Sequence, residues 1–142
     1  MSAALSRSPS IGVNSSVLTL LQRLAGCDVI LFAGTGARMR TTWEEVRANI
    51  EACRRPVGGI AASLPVPGGS SRPSDVSVTL AGCGGVDFGL AAGRAVFNHP
   101  DGPHSGARSF RQAWEAVKDN IPLEEKARTS PELAKSLATF GS

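Results

Sequence analysis

The stretch from Leu64 to Val117 constrains the fold most, because it repeats one pattern. A short apolar run leads into a loop of small residues, and a helical pattern follows. The first run leads into Pro67-Gly68-Gly69-Ser70. The second leads into Ala92-Gly93-Arg94-Ala95. Behind the second loop, Ala107, Phe110, Trp114 and Val117 recur three and four apart, which lines one face of a helix. Strand, glycine-bearing turn and helix in repetition predict a parallel α/β protein.

The rest of the chain continues that order. Val17, Leu20, Leu21 and Leu24 form one helical face, capped at Asn14 or Ser15 and ended by Gly26. Val29 to Phe32 is an unbroken apolar run, the mark of a parallel strand buried on both faces. Ala33-Gly34-Thr35-Gly36-Ala37-Arg38 follows as a small-residue loop. Thr42 with Glu45 reads as a capping box. The helix behind it carries Trp43, Val46, Ile50 and Cys53 on one face, has Arg54 and Arg55 where the dipole favours cations, and stops at Pro56. A second strand is predicted over 60–66, a weak helix over 74–81, a third strand over 86–90 and a helix near 105–120. Two short helices, 123–128 and 131–140, close the chain, with Ser130 as cap, Pro131 at the first position and Gly141 as stop.

Several function classes drop out. The net charge of +3 is small, and Lys and Arg form no run of like charge, so a nucleic-acid partner is not expected. No apolar run approaches the ~18 residues of a membrane span. Three widely spaced cysteines, Cys27, Cys53 and Cys83, make no CxxC pair for zinc. They fit reduced, buried thiols and a cytoplasmic location. No carboxylates are spaced as a catalytic pair. His99, within Asn98-His99-Pro100-Asp101-Gly102, is in reach of acid–base chemistry, but its turn-rich setting favours a structural role.

Leu64-Pro65-Val66-Pro67-Gly68-Gly69, the segment from Phe97 to Pro103, and Ser105-Gly106-Ala107-Arg108-Ser109-Phe110-Arg111-Gln112-Ala113-Trp114 carry a resemblance. Leu24-Ala25-Gly26-Cys27-Asp28 adds to it. From Val17 to Val117 the chain resembles the C-terminal half of the RuBisCO large-chain barrel, in its RuBisCO-like branch. The resemblance implies a partial (β/α)₈ TIM barrel holding about strands 6 to 8 with their helices, all 142 residues forming that half and 121–142 a C-terminal helical tail. Such barrels take about 250 residues, which also predicts an incomplete ring.

It further implies chemistry on a phosphorylated sugar or sugar acid through an enediolate whose charge Mg²⁺ stabilises. The family's metal ligands sit at the end of strand 2, outside this chain, so Mg²⁺ is expected for the intact enzyme and none for the chain alone. Phosphate would be gripped by the loops after strands 7 and 8, at Gly68 and Gly69 and at Gly93, Arg94 and Ala95. The family usually has glycine where Arg94 and Ala95 stand, and a side chain there crowds an anion and disfavours positive φ. Arg38 stands near the catalytic lysine of true RuBisCO and would clamp an anionic substrate, while Leu31 or Phe32 replaces a strand-6 histidine. No catalytic residue is assigned. Two functions follow: the phosphate-binding part of a RuBisCO-like enzyme, or a non-catalytic remnant or interaction module. In either case the expected partner is a second copy of the chain or the missing N-terminal half, because half a barrel exposes raw strand edges and an apolar wall.

Overall fold

The computed structural model describes residues 8, 10, 12–35, 39–69 and 71–141. In chain order the elements are α1 (Ser15–Leu24), β1 (Val29–Ala33), α2 (Trp43–Arg54), β2 (Leu64–Gly68), α3 (Asp75–Cys83), α4 (Arg94–Phe97), α5 (Gly102–Lys118), α6 (Leu123–Thr129) and α7 (Pro131–Phe140). β1 and β2 pair in parallel, with Val29 opposite Leu64 and Ala33 opposite Gly68. The chain is therefore α/β, a small parallel sheet with helices, as the strand–turn–helix grammar required.

Local signals set most element ends. Asn14 Oδ1 accepts from the Ser16 N–H at 3.0 Å and starts α1. The Glu45 N–H donates to Thr42 Oγ1 at 3.2 Å while the Thr42 N–H donates to Glu45 Oε2 at 2.8 Å, which completes the capping box of α2. Arg55, the residue before Pro56, takes extended ψ and ends that helix. Gly84, at φ +68°, ends α3. Ser130 precedes α7 without a side-chain capping bond, so only half of that expected start is realised.

Two apolar clusters hold the chain. Ile30 and Phe32 of β1 pack on Val46, Ile50 and Cys53 of α2 and on Cys83. Val76, Ala113 and Leu133 join α3, α5 and α7, with Phe110 and Trp114 half-buried around them. Trp43 lies against Gly82, where a Cβ would collide with its ring.

The structure corrects four expectations. The first concerns α1, which packs through Thr19 and Arg23, not through its leucine stripe: Val17, Leu21 and Leu24 are exposed. Thr19 Oγ1 donates to Asn49 Oδ1 at 2.6 Å. Arg23, only 2% exposed, donates to the carbonyls of Ala52, Arg55, Ile60 and Ala61. The Ala52 and Arg55 carbonyls lie at the end of α2, where no intrahelical donor remains and the dipole is negative, and those of Ile60 and Ala61 in the following loop lie within reach, so a guanidinium suits the site better than leucine. The second concerns β1, which is buried on one face only. Val29 and Leu31 are 60% and 58% exposed, since none of the described elements covers that face.

The third correction is that residues 86–90 form no strand. They meet β2 through a parallel bridge between Gly68 and Ala91 and a bond from the Gly89 N–H to the Pro65 carbonyl at 3.0 Å. The reason lies in β2 itself. The backbone of Leu64 faces β1, since its N–H donates to the Asp28 carbonyl at 2.7 Å. Alternation then turns residues 65 and 67 towards the third segment, and both are prolines with no N–H to donate. The second strand is also displaced: it runs over Leu64–Gly68, because Ile60 is taken into a tight turn that bridges it to Val57. The fourth is Cys27, which is exposed, whereas Cys53 and Cys83 are buried as expected. No helix among the described residues is long and apolar enough to cross a membrane.

Candidate anion-binding edge

Because β1 and β2 run parallel and end in register, the turns that follow them leave from one edge of the sheet. The Gly34 N–H donates to the Gly68 carbonyl at 2.8 Å and ties the first two turns together. The Gly68–Ala91 bridge brings the third segment to the same edge. Gly34, Gly68-Gly69 and Ala92-Gly93 therefore gather at the carboxyl ends of the strands, where α/β proteins bind ligands.

Glycine is required at the middle turn. A Cβ on Gly68 would stand 2.9 Å from the Ala91 Cβ and 3.0 Å from Leu31 Cδ1. Gly69 has φ +106° and lies under Met39, whose Sδ would be 2.9 Å from an added Cβ. Beneath the turns, a cavity lined by Gly34, Thr35, Pro67, Ser71 and Asp75 measures about 10 Å³, no more than one water needs. A ligand at this edge would rest on the turns and not between them.

The third turn is built differently. Gly93 has φ −107° and open space where a Cβ would stand. α4 begins at Arg94, and the N–H groups of Val96 and Phe97 both donate to the Gly93 carbonyl, at 3.0 and 2.9 Å. The N–H groups of Gly93, Arg94 and Ala95 precede those bonds and lie among the donors that a helix start leaves without intrahelical partners. Arg94 is exposed and Ala95 buried. Neither has positive φ, since Asn120 is the one non-glycine residue that does among those described. The expected backbone objection to Arg94 and Ala95 is thereby removed. Arg38 lies outside the described residues.

Other titratable groups are structural. His99 is buried, with Nδ1 accepting from the Asp101 N–H at 3.1 Å and Nε2 bonded to the Glu132 carbonyl at 3.0 Å, a pairing that sets the proton on Nε2. The Glu132 carboxyl lies below the usual carboxylate range, chiefly because Gln112 Nε2 donates to it at 2.7 Å, with its own backbone and Arg108 adding to the effect. Burial pushes the Cys53 and Cys83 thiols up, against a smaller opposing pull from neighbouring arginines, so neither is an activated nucleophile. Among the described residues no three His, Cys, Asp or Glu side chains are grouped to hold a metal ion. The described residues therefore offer no donor set that fits Mg²⁺.

A second feature lies beside the third segment. A groove of about 490 Å³ runs between α3, the 86–92 segment and α5, lined by Val86, Phe88, Leu90, Phe110 and Trp114. Phe88 meets Trp114 edge to face, ring centroids 6.1 Å apart.

A parallel sheet with turns gathered at its carboxyl edge and one bare strand face has the arrangement of a partial β/α barrel. The comparisons give the particular family. Residues 1–140 match the model of the ribulose bisphosphate carboxylase large chain, catalytic domain. This chain belongs to that family. A ribulose bisphosphate carboxylase-like protein from Allochromatium vinosum is 50% identical over 139 residues, 98% of this chain and 30% of the relative. A second such protein, from Rhodopseudomonas palustris, is 48% identical over 139 residues, 98% of this chain and 32% of the relative. Among solved structures, octameric RuBisCO from Pyrococcus horikoshii superposes with a TM-score of 0.88 at 32% identity, over 98% of this chain and 33% of that one. A rubisco-like protein from Alicyclobacillus acidocaldarius gives 0.85 at 32% identity, over 94% and 34%. The chain thus spans about a third of the length of the curated relatives it matches.

Sequence reading missed two arginines that tie segments together, of which Arg72 adjoins the loop after Gly69. Arg23 and Arg72 look like ordinary surface cations in the sequence. Only the spacing of Arg72 to Asp75 hinted at a local pair.

Proposed function

We propose that this chain supplies the phosphate-gripping turns of a RuBisCO-like enzyme that acts on a phosphorylated sugar or sugar acid. The reaction class is decarboxylation, carboxyl transfer or enolisation through an enediolate. The observation that supports this reading is the bridge from Gly68 to Ala91, which sets the Gly68-Gly69 turn beside the segment leading into Gly93, Arg94 and Ala95. Backbone N–H groups there would bind phosphate oxygens, and the exposed Arg94 would add charge. Arg38, from the neighbouring loop, would clamp the anionic substrate. The part of the reaction assigned to these residues is holding and orienting the phosphate, and no step is routed through a metal. By family order, β1, β2 and the 86–91 segment correspond to barrel strands 6, 7 and 8.

Calorimetry on the intact protein tests the reading. Inorganic phosphate and a sugar bisphosphate should compete for one site, and the unphosphorylated sugar should not displace either. Equal binding of the unphosphorylated sugar would overturn it. The isolated 142 residues should give no Mg²⁺-dependent product, and measurable turnover would contradict that assignment.

A second reading, a non-catalytic module completed by a partner, is favoured by the apolar surface. Val29 and Leu31 stand bare on β1, Val17, Leu21 and Leu24 on α1, and the groove beside Phe88 is open. The partner would be a second copy or the remainder of a barrel. Solved relatives are described as octameric and dimeric. Size-exclusion chromatography with light scattering distinguishes the cases, since a stable, well-dispersed monomer would count against both partner arrangements.

A further inference from the structure

The loop leaving Gly69 is held from behind by the last turn of the chain. Arg72, three residues past Gly69, forks onto Asp75: Nη2 donates to Oδ1 at 3.0 Å and Nε to Oδ2 at 3.4 Å. The backbone N–H of Arg72 donates to the same Oδ2 at 2.8 Å. The remaining arm, Nη1, donates to the carbonyl of Phe140, the last residue of α7, at 3.3 Å. Ser74 Oγ donates to the carbonyl of Gly141 at 3.2 Å. These carbonyls have lost their intrahelical donors and carry the negative end of the helix dipole, so a guanidinium satisfies both needs.

The helix stop is shaped for this contact. Gly141 takes φ +92°, and a Cβ there would lie 3.2 Å from Arg72 Nη1. The body of α7 is anchored elsewhere, by the fully buried Leu133 and by a bond from its N–H to Gln112 Oε1 at 2.9 Å. Its final turn packs Leu137 on the same cluster and ends at the carbonyls that meet the loop.

We propose that Arg72 is a positioning residue for the Gly68-Gly69 turn, and that anion binding at that turn is coupled to docking of the last turn of α7. The proposal rests on the phosphate reading of the turn given above. The guanidinium links both partners: one arm sets the loop through Asp75, the other grips the helix end. Whatever fixes the loop must then favour the docked helix end, and the reverse holds by the same amount.

Hydrogen exchange by mass spectrometry on the intact protein, with inorganic phosphate against chloride, tests the coupling. In the wild type, phosphate should slow exchange in peptides covering 64–75 and 137–142. In Arg72→Gln, phosphate affinity should fall about fivefold, at the low end of measured couplings. Exchange at 64–75 should rise before any phosphate is added, and peptide 137–142 should no longer respond to phosphate. Exchange in α2 should stay unchanged, which separates loop positioning from a general loss of fold. If Arg72→Gln unfolds, Ser74→Ala removes only the bond to Gly141 and should give the same pattern more weakly. Should phosphate leave the wild-type 64–75 peptide unaffected, the anion reading fails. The clasp then stands or falls on whether Arg72→Gln speeds exchange at 64–75 and 137–142. Wild-type exchange and affinity in both variants would overturn it.

Discussion

Two turns stand on the same edge and reach it by different backbone solutions. At Gly68-Gly69 the space is closed: Ala91, Leu31 and Met39 fill every direction a Cβ could take, and Gly69 needs positive φ. At Gly93 the space is open, φ is negative, and the chain enters α4 at once. A side chain at the first turn has to displace a neighbour. The second already carries two, Arg94 and Ala95, without strain. Glycine in a loop thus answers to two separate demands, the torsion angle and the room for a neighbour. Only the middle turn makes both.

The largest effect should come from Gly69→Val. Positive φ in a β-branched residue and contact with Met39 should cost about 2 kcal/mol of stability in urea titrations and remove most phosphate binding. A variant as stable as the wild type would break the comparison. Gly68→Ala comes next, at about 1–2 kcal/mol, since the Ala91 Cβ and Leu31 must both move. Arg94→Ala should weaken phosphate binding about threefold and flatten its salt dependence, with stability changed by less than about 0.5 kcal/mol. Salt dependence equal to the wild type would show that Arg94 does not face the anion. Gly93→Ala should be smallest, within about 0.5 kcal/mol and even slightly stabilising, because it narrows the unfolded ensemble without strain. A loss at Gly93→Ala as large as at Gly69→Val would erase the distinction between the turns.

Local features of the chain were legible in the sequence. The turn at Gly68-Gly69, the Thr42–Glu45 box and the Phe110–Trp114 spacing act over a few residues, so their consequences can be read from their order. The run 86–90 was not legible as a bridge. Its own residues favour a strand, and the veto came from Pro65 and Pro67 on its neighbour. The packed face of α1 was hidden for a similar reason. The leucine stripe is the more apolar face, yet the exposed carbonyls at the end of α2 select Arg23. Arg54 does end its own helix, as its position in the sequence implied, but that its guanidinium also reaches the Cys83 and Asp87 carbonyls was not legible.

The sequence by itself determined the alternation of helices and parallel strands from α1 to α3, most of the caps there, and the family resemblance. Those depend on torsional preferences and on contacts within one or two helical turns. Only the tertiary structure decided which groups meet across the chain: Arg23 with the end of α2, Arg72 with Phe140, and three loops at one edge. A polar group is satisfied by whichever unpaired donor or acceptor the packing brings within about 3 Å, and residue order does not record that distance.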